Sequence, residues 1–124
     1  GRLSERELEM YAVVRAAQEA GRDAVKAGVS GVDADRAARK VIEEAGMGEL
    51  FQHSLGHGVG LEIHEAPRLG PRSTDVLMSG NVVTVEPGVY VEGLGGVRIE
   101  DTVVVGDDGC ETVTEFTRDI VTLS

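Results

Sequence analysis

The residues best suited to chemistry in this chain are three histidines and two glutamates. His53, His57 and His64 fall within twelve positions, and the chain has no other histidine. Gly56, Gly58 and Gly60 flank His57, which lets backbone or a ligand come close to its ring. The competing reading is a polar loop whose histidines are merely hydrogen-bonded. Glu86 lies in Val85-Glu86-Pro87 and Glu100 in Ile99-Glu100-Asp101, each inside an apolar, strand-forming run. If the two runs form a hairpin with Gly93 at its tip, Glu86 and Glu100 are equidistant from that tip and face each other. Their Cβ atoms would then be about 4.5–5.5 Å apart. Two like charges on half-buried strands call for a cation between them. Arg98, on the face of Glu100 by the period of two, would make a salt-bridge cluster, which accounts for one carboxylate better than for two. A metal accounts for both. One imidazole with two carboxylates suits Mn, Fe, Co or Zn. Carboxylates can also bridge two ions about 3.5–4 Å apart, a pair that activates water and clamps a substrate. Three ligands are too few for two ions, so further ligands must come from elsewhere.

The elements that position these groups follow from periodicity. Residues 4 to about 27 read as a helix: Ser4 and Glu7 have capping-box spacing, Tyr11, Val14, Ala17, Gly21 and Val25 recur on one face, and Gly28 stops it. A second helix starts at Asp33 as N-cap, buries Ala37, Ala38, Val41, Ile42 and Ala45, and ends at Gly46. The charges of both helices read as solvated faces. Residues 50–66 are Gly- and His-rich, and residues 67–80 form a loop carrying Pro67, Gly70, Pro71 and Gly80. Residues 82–91 and 97–105 are β-branched runs, followed by a turn at Asp107-Asp108-Gly109 and a last strand over 111–121. Helices followed by antiparallel strands predict an α+β domain with the helices on one face of the sheet.

Bulk properties narrow the function. With 124 residues the chain has room for one domain with a real core. A net charge of −10 leaves no basic face for phosphates, which argues against nucleic-acid binding. Cys110 is the single cysteine, so no internal disulfide forms and a reducing compartment fits. No signal peptide or apolar run of spanning length is present, so a cytoplasmic protein without membrane contact is expected.

Three ordered motifs carry a resemblance. Gly56-His57-Gly58-Val59-Gly60-Leu61-Glu62-Ile63-His64-Glu65, then Thr84-Val85-Glu86-Pro87-Gly88-Val89-Tyr90, then Gly96-Val97-Arg98-Ile99-Glu100-Asp101 resemble the Xaa-Pro dipeptidases and aminopeptidases. These are metallopeptidases of the pita-bread fold, related to methionine aminopeptidase. The resemblance implies that His57 and Glu86 are metal ligands and that Glu100 bridges two divalent ions (Mn, Co, Zn or Fe). It also implies that His64 contacts the scissile peptide, that His53 is an additional active-site histidine, and that Arg98 orients groups beside the bridging glutamate. The implied reaction is hydrolysis of the N-terminal peptide bond of a substrate with proline second, by a metal-activated hydroxide, with Glu86 shuttling the proton.

The family takes two further ligands from aspartates on strands ahead of the first helix, and Gly1 looks like a cut. The chain is therefore expected to be the C-terminal portion of a catalytic domain, inactive alone and prone to dimerise or self-associate. Asp108 and Asp119 have the family's aspartate spacing but follow Glu100 in the chain, and they are set aside as coincidence. Two other readings are a non-catalytic binding module on the same fold and a purely structural acidic domain.

Overall fold

A computed structural model describes residues 4–59 and 66–115. Helix α1 spans Glu5–Ala24 and begins with the expected capping box: the Glu7 amide donates to Ser4 Oγ, and the Ser4 amide to Glu7 Oε1, each at 3.1 Å. It ends at Val25 rather than near residue 27, and Gly28 lies in the following turn with φ +90°. Helix α2 spans Gly31–Glu44, and its N-cap is Ser30, not Asp33. Ser30 Oγ accepts the Asp33 amide at 3.0 Å, which places Asp33 in the first turn. The earlier start was hidden because Gly31 looks like a loop residue. A side chain there would collide with Arg68 O, so packing rather than turn chemistry requires the glycine. Ala45 is exposed, contrary to expectation, and a short 3-10 turn at Gly48–Leu50 was not foreseen.

The strands are β1 (Val82–Val85), β2 (Gly88–Val91), β3 (Gly95–Arg98), β4 (Asp101–Val105) and β5 (Cys110–Glu115). All pairings among them are antiparallel, with β1-β4-β5 in one sheet and β2-β3 in another. The two long runs read from the sequence are thus each interrupted, at Glu86-Pro87 and at Ile99-Glu100. Proline has no amide to give a ladder, which explains the break. The hairpin itself survives it. Val85 lies opposite Asp101 and Gly88 opposite Arg98, while the Ile99 amide donates to Pro87 O at 3.2 Å across the gap. Continuing that register sets Glu86 opposite Glu100, with Gly93 at the tip. The last strand is described to Glu115, and the remainder of the 111–121 run lies outside the described residues.

Both helices pack on the sheet to form an α+β core of Met10, Val14, Ala17, Ala38, Ile42, Leu55, Val83, Val85, Val97 and their neighbours. Gly21 is where α1, α2 and β1 meet: its missing side chain would touch Val85, Leu55 and Ala38. The helix charges are not all solvated. Asp35 is buried on α2, and Gln18 of α1 is buried with its Nε2 2.6 Å from the buried Asp101. Arg22 lies 3.6 Å from Asp101 and donates to Thr112 Oγ1 at 2.7 Å, which ties α1 to β4 and β5. Cys110, half-buried beside them, donates to Arg22 O, and burial pushes its thiol pKa up. Among the described residues, no helix is long and apolar enough to cross a membrane.

Candidate active site

His57 is delivered by backbone pairing. Val59, Thr84 and Glu86 donate their amides to Val82 O, His57 O and Leu55 O, each at 2.8 Å. Residues 55–59 therefore run antiparallel along the edge of β1 that β4 leaves open, with His57 opposite Thr84. The His57 amide donates to Thr84 Oγ1 at 3.0 Å. Gly56 and Gly58 have a steric role here. A Cβ on Gly56 would meet Thr84 O and one on Gly58 would meet Ala66 O, both far inside contact distance. What comes close to these glycines is backbone.

The ring of His57 reaches Gly58 O through Nδ1 at 2.9 Å. A carbonyl can only accept, so Nδ1 carries the proton in the neutral ring and Nε2 presents a lone pair. That Nε2 lies 3.8 Å from Glu86 Oε2, whose side chain is 18% exposed. The separation is too long for a hydrogen bond. It leaves room for a metal about 2.0–2.2 Å from each.

His53 is arranged in the same way. Its Nδ1–H donates to Ser54 O at 2.7 Å, and Nε2 is a buried acceptor with no hydrogen-bond partner among the described residues. The ring packs edge-on to Phe51 and near Tyr90, with centroids 4.9 and 5.9 Å away. Local hydrogen bonding thus serves one nitrogen of each of these rings and leaves the other available. His64 lies outside the described residues.

Glu100 is aligned opposite Glu86 by register, while its carboxylate lies 3.9 Å from Arg98 Nε. The arginine pairs with Glu100, and Glu86 pairs with His57, so Arg98 accounts for one carboxylate and not the other. Among the described residues, no three His, Cys, Asp or Glu side chains converge closely enough to hold a metal by themselves. His57 and Glu86 form a two-sided site. A cleft of about 410 Å³ opens over them, lined by His53, Ser54, Gly56, His57, Arg68, Glu86 and Arg98. Glu100 is opposite Glu86 by backbone register but does not line the cleft. Arg68 was not anticipated. A lone arginine after Pro67 in a loop carries no periodic signal, and only the fold turns it toward the histidines.

A cleft with an imidazole and a carboxylate facing each other on an α+β frame has room for a metal between them. Residues 1–107 match metallopeptidase family M24, and the chain belongs to that family. Over 121 residues it is 46% identical to the Xaa-Pro dipeptidase of Pyrococcus furiosus, covering 98% of this chain and 35% of that protein. Its fold superposes on the Xaa-Pro dipeptidase from Bacillus anthracis with a TM-score of 0.91 and 49% identity, over 99% of this chain and 35% of the other. The X-Pro aminopeptidase from Thermotoga maritima superposes with a TM-score of 0.89 and 46% identity, again over 99% and 35%. The two helices and the antiparallel strands are thus part of a pita-bread fold, and the chain spans about a third of the length of these relatives.

Proposed function

We propose that this chain supplies one wall of a dinuclear-metal exopeptidase site that hydrolyses the N-terminal peptide bond of Xaa-Pro dipeptides or peptides. The observation that carries the reading is the facing pair of acceptors, His57 Nε2 and Glu86 Oε2, at 3.8 Å on the floor of the cleft. Glu100, opposite Glu86 across the hairpin, would add a third ligand by exchanging its loose pairing with Arg98 for the cations, the remaining ligands coming from outside this chain. Bound there, divalent ions (Mn, Co, Zn or Fe) supply an activated water and polarise the scissile carbonyl.

The chain's own residues do the rest. Thr84 and the Gly58 carbonyl hold His57 so that its lone pair faces the site. Glu86, fixed through its amide to Leu55, is placed to pass a proton to the leaving nitrogen. His53 offers its unused nitrogen, and His64, by resemblance, contacts the scissile peptide and stabilises the developing oxyanion. Arg68 and Arg98 line the cleft beside Glu86. With only two acceptors converging among the described residues, this chain alone binds metal weakly and does not turn over.

The test is made in the full-length protein. His57→Ala and Glu100→Ala should each lower kcat/KM on an Xaa-Pro dipeptide by more than about 100-fold, since losing even an outer partner of a metal ligand costs 10–100-fold. Retained hydrolysis by either variant would sink the assignment.

A further inference from the structure

On α2, Asp35 and Arg39 meet as a fork: Nε reaches Oδ2 at 2.7 Å and Nη2 reaches Oδ1 at 3.1 Å. Most pairs at this spacing are solvated and do nothing more. Here Asp35 is 1% exposed, and the guanidinium continues into the loop beneath the cleft. Arg39 Nη1 donates to Phe51 O and Nη2 to His53 O, both at 2.9 Å, and the guanidinium lies 4.0 Å above the Phe51 ring centroid. Asp35 Oδ1 accepts the Leu55 amide at 3.0 Å. Residues 51–55 have no helix or strand of their own, so one ion pair takes the place of secondary structure across the segment that carries His53.

We propose that the Asp35–Arg39 pair is a positioning clamp that holds the His53 ring in one tautomer and one orientation toward the cleft. The inference rests on the peptidase reading only in giving His53 a substrate to meet. The path is short. The Leu55 amide and the Ser54 carbonyl belong to the same planar peptide unit and point from opposite edges of it. Asp35 fixes one edge through Leu55, and the other edge, Ser54 O, receives the His53 Nδ1–H at 2.7 Å. Arg39 pins the preceding peptide through His53 O. With both peptide planes held, the ring keeps its proton on Nδ1 and its Nε2 as a buried acceptor with no hydrogen-bond partner among the described residues. A free loop would relieve that arrangement by rotation, because a buried acceptor without a donor is unfavourable.

Arg39→Lys tests this in the full-length protein, because a single ammonium keeps the charge and loses the fork. With ¹⁵N-labelled histidine and zinc, which is diamagnetic, the parent protein should show His53 as the pure Nδ1–H tautomer. Arg39→Lys should average the two tautomers and lower kcat/KM on an Xaa-Pro dipeptide about 10- to 100-fold. Its manganese affinity should stay within about threefold, because His57 and Glu86 keep their own backbone partners. An unchanged His53 spectrum and unchanged kcat/KM, with only a lower melting temperature, would reduce the pair to a structural one and overturn the proposal. Should Arg39→Lys fail to fold, Asp35→Asn is read the same way: a neutral amide accepts the Leu55 amide more weakly, and an unaltered His53 spectrum there is equally fatal. A parent protein that cleaves no Xaa-Pro substrate refutes the peptidase reading and leaves the spectrum to decide the clamp.

Discussion

At the scale of single residues, chemistry and sterics divide the work around His57. The ring is oriented by a hydrogen bond to the next residue's carbonyl, and the space around it is set by two glycines that admit neighbouring backbone. Gly56→Ala should therefore destabilise the fold by about 1–3 kcal/mol, the usual range for overpacking, because its Cβ would have to displace Thr84 O. Urea unfolding of the full-length protein measures this, and a neutral result would show that residues 55–59 do not lie tightly on β1. The candidate histidines and glutamates were legible because they are rare types in a Gly-rich or β-branched setting. Arg68, Asp35 and Arg39 were not, since a single charged residue on a loop or helix looks solvated until its neighbours are known.

At the scale of elements, register does the positioning. One antiparallel register runs through β1-β4 and β2-β3 despite the break at Pro87, and a second runs from residues 55–59 to β1. The break frees Glu86 from the hairpin and turns its amide to Leu55, on the side where His57 lies. The hairpin and its tip could be read by counting residues from Gly93 on either side. The second register could not, because Leu55-Gly56-His57-Gly58-Val59 is glycine-broken and carries no strand signal of its own. Helix α2 depends on the Ser30 cap. Ser30→Ala should cost about 1 kcal/mol, seen as a lower urea midpoint with an unchanged slope. No change would mean that packing of Gly31 against Arg68, not the cap, sets where the helix begins.

At the scale of the molecule, two buried polar links fasten the helices to the site: Asp35–Arg39 to the His53 loop, and Gln18 with Arg22 to Asp101, the neighbour of Glu100. Large apolar side chains remain outside the core, with Leu8 at 52% exposure, Val76 at 54%, Met78 at 67% and Val113 at 57%. In a chain that spans about a third of its relatives' length, such surface should drive self-association of the isolated 124 residues. A monodisperse monomer by light scattering would count against this. The amino-acid sequence by itself determined the family, the two helices, the hairpin and the identity of the candidate ligands, because period, capping and motif spacing are local properties of the chain. Only the tertiary structure decided that His57 and Glu86 converge while Glu100 turns to Arg98, and that a helix ion pair underlies the His53 loop. Those outcomes depend on which backbone groups are left unpaired once strands and helices have packed, and no local pattern encodes that.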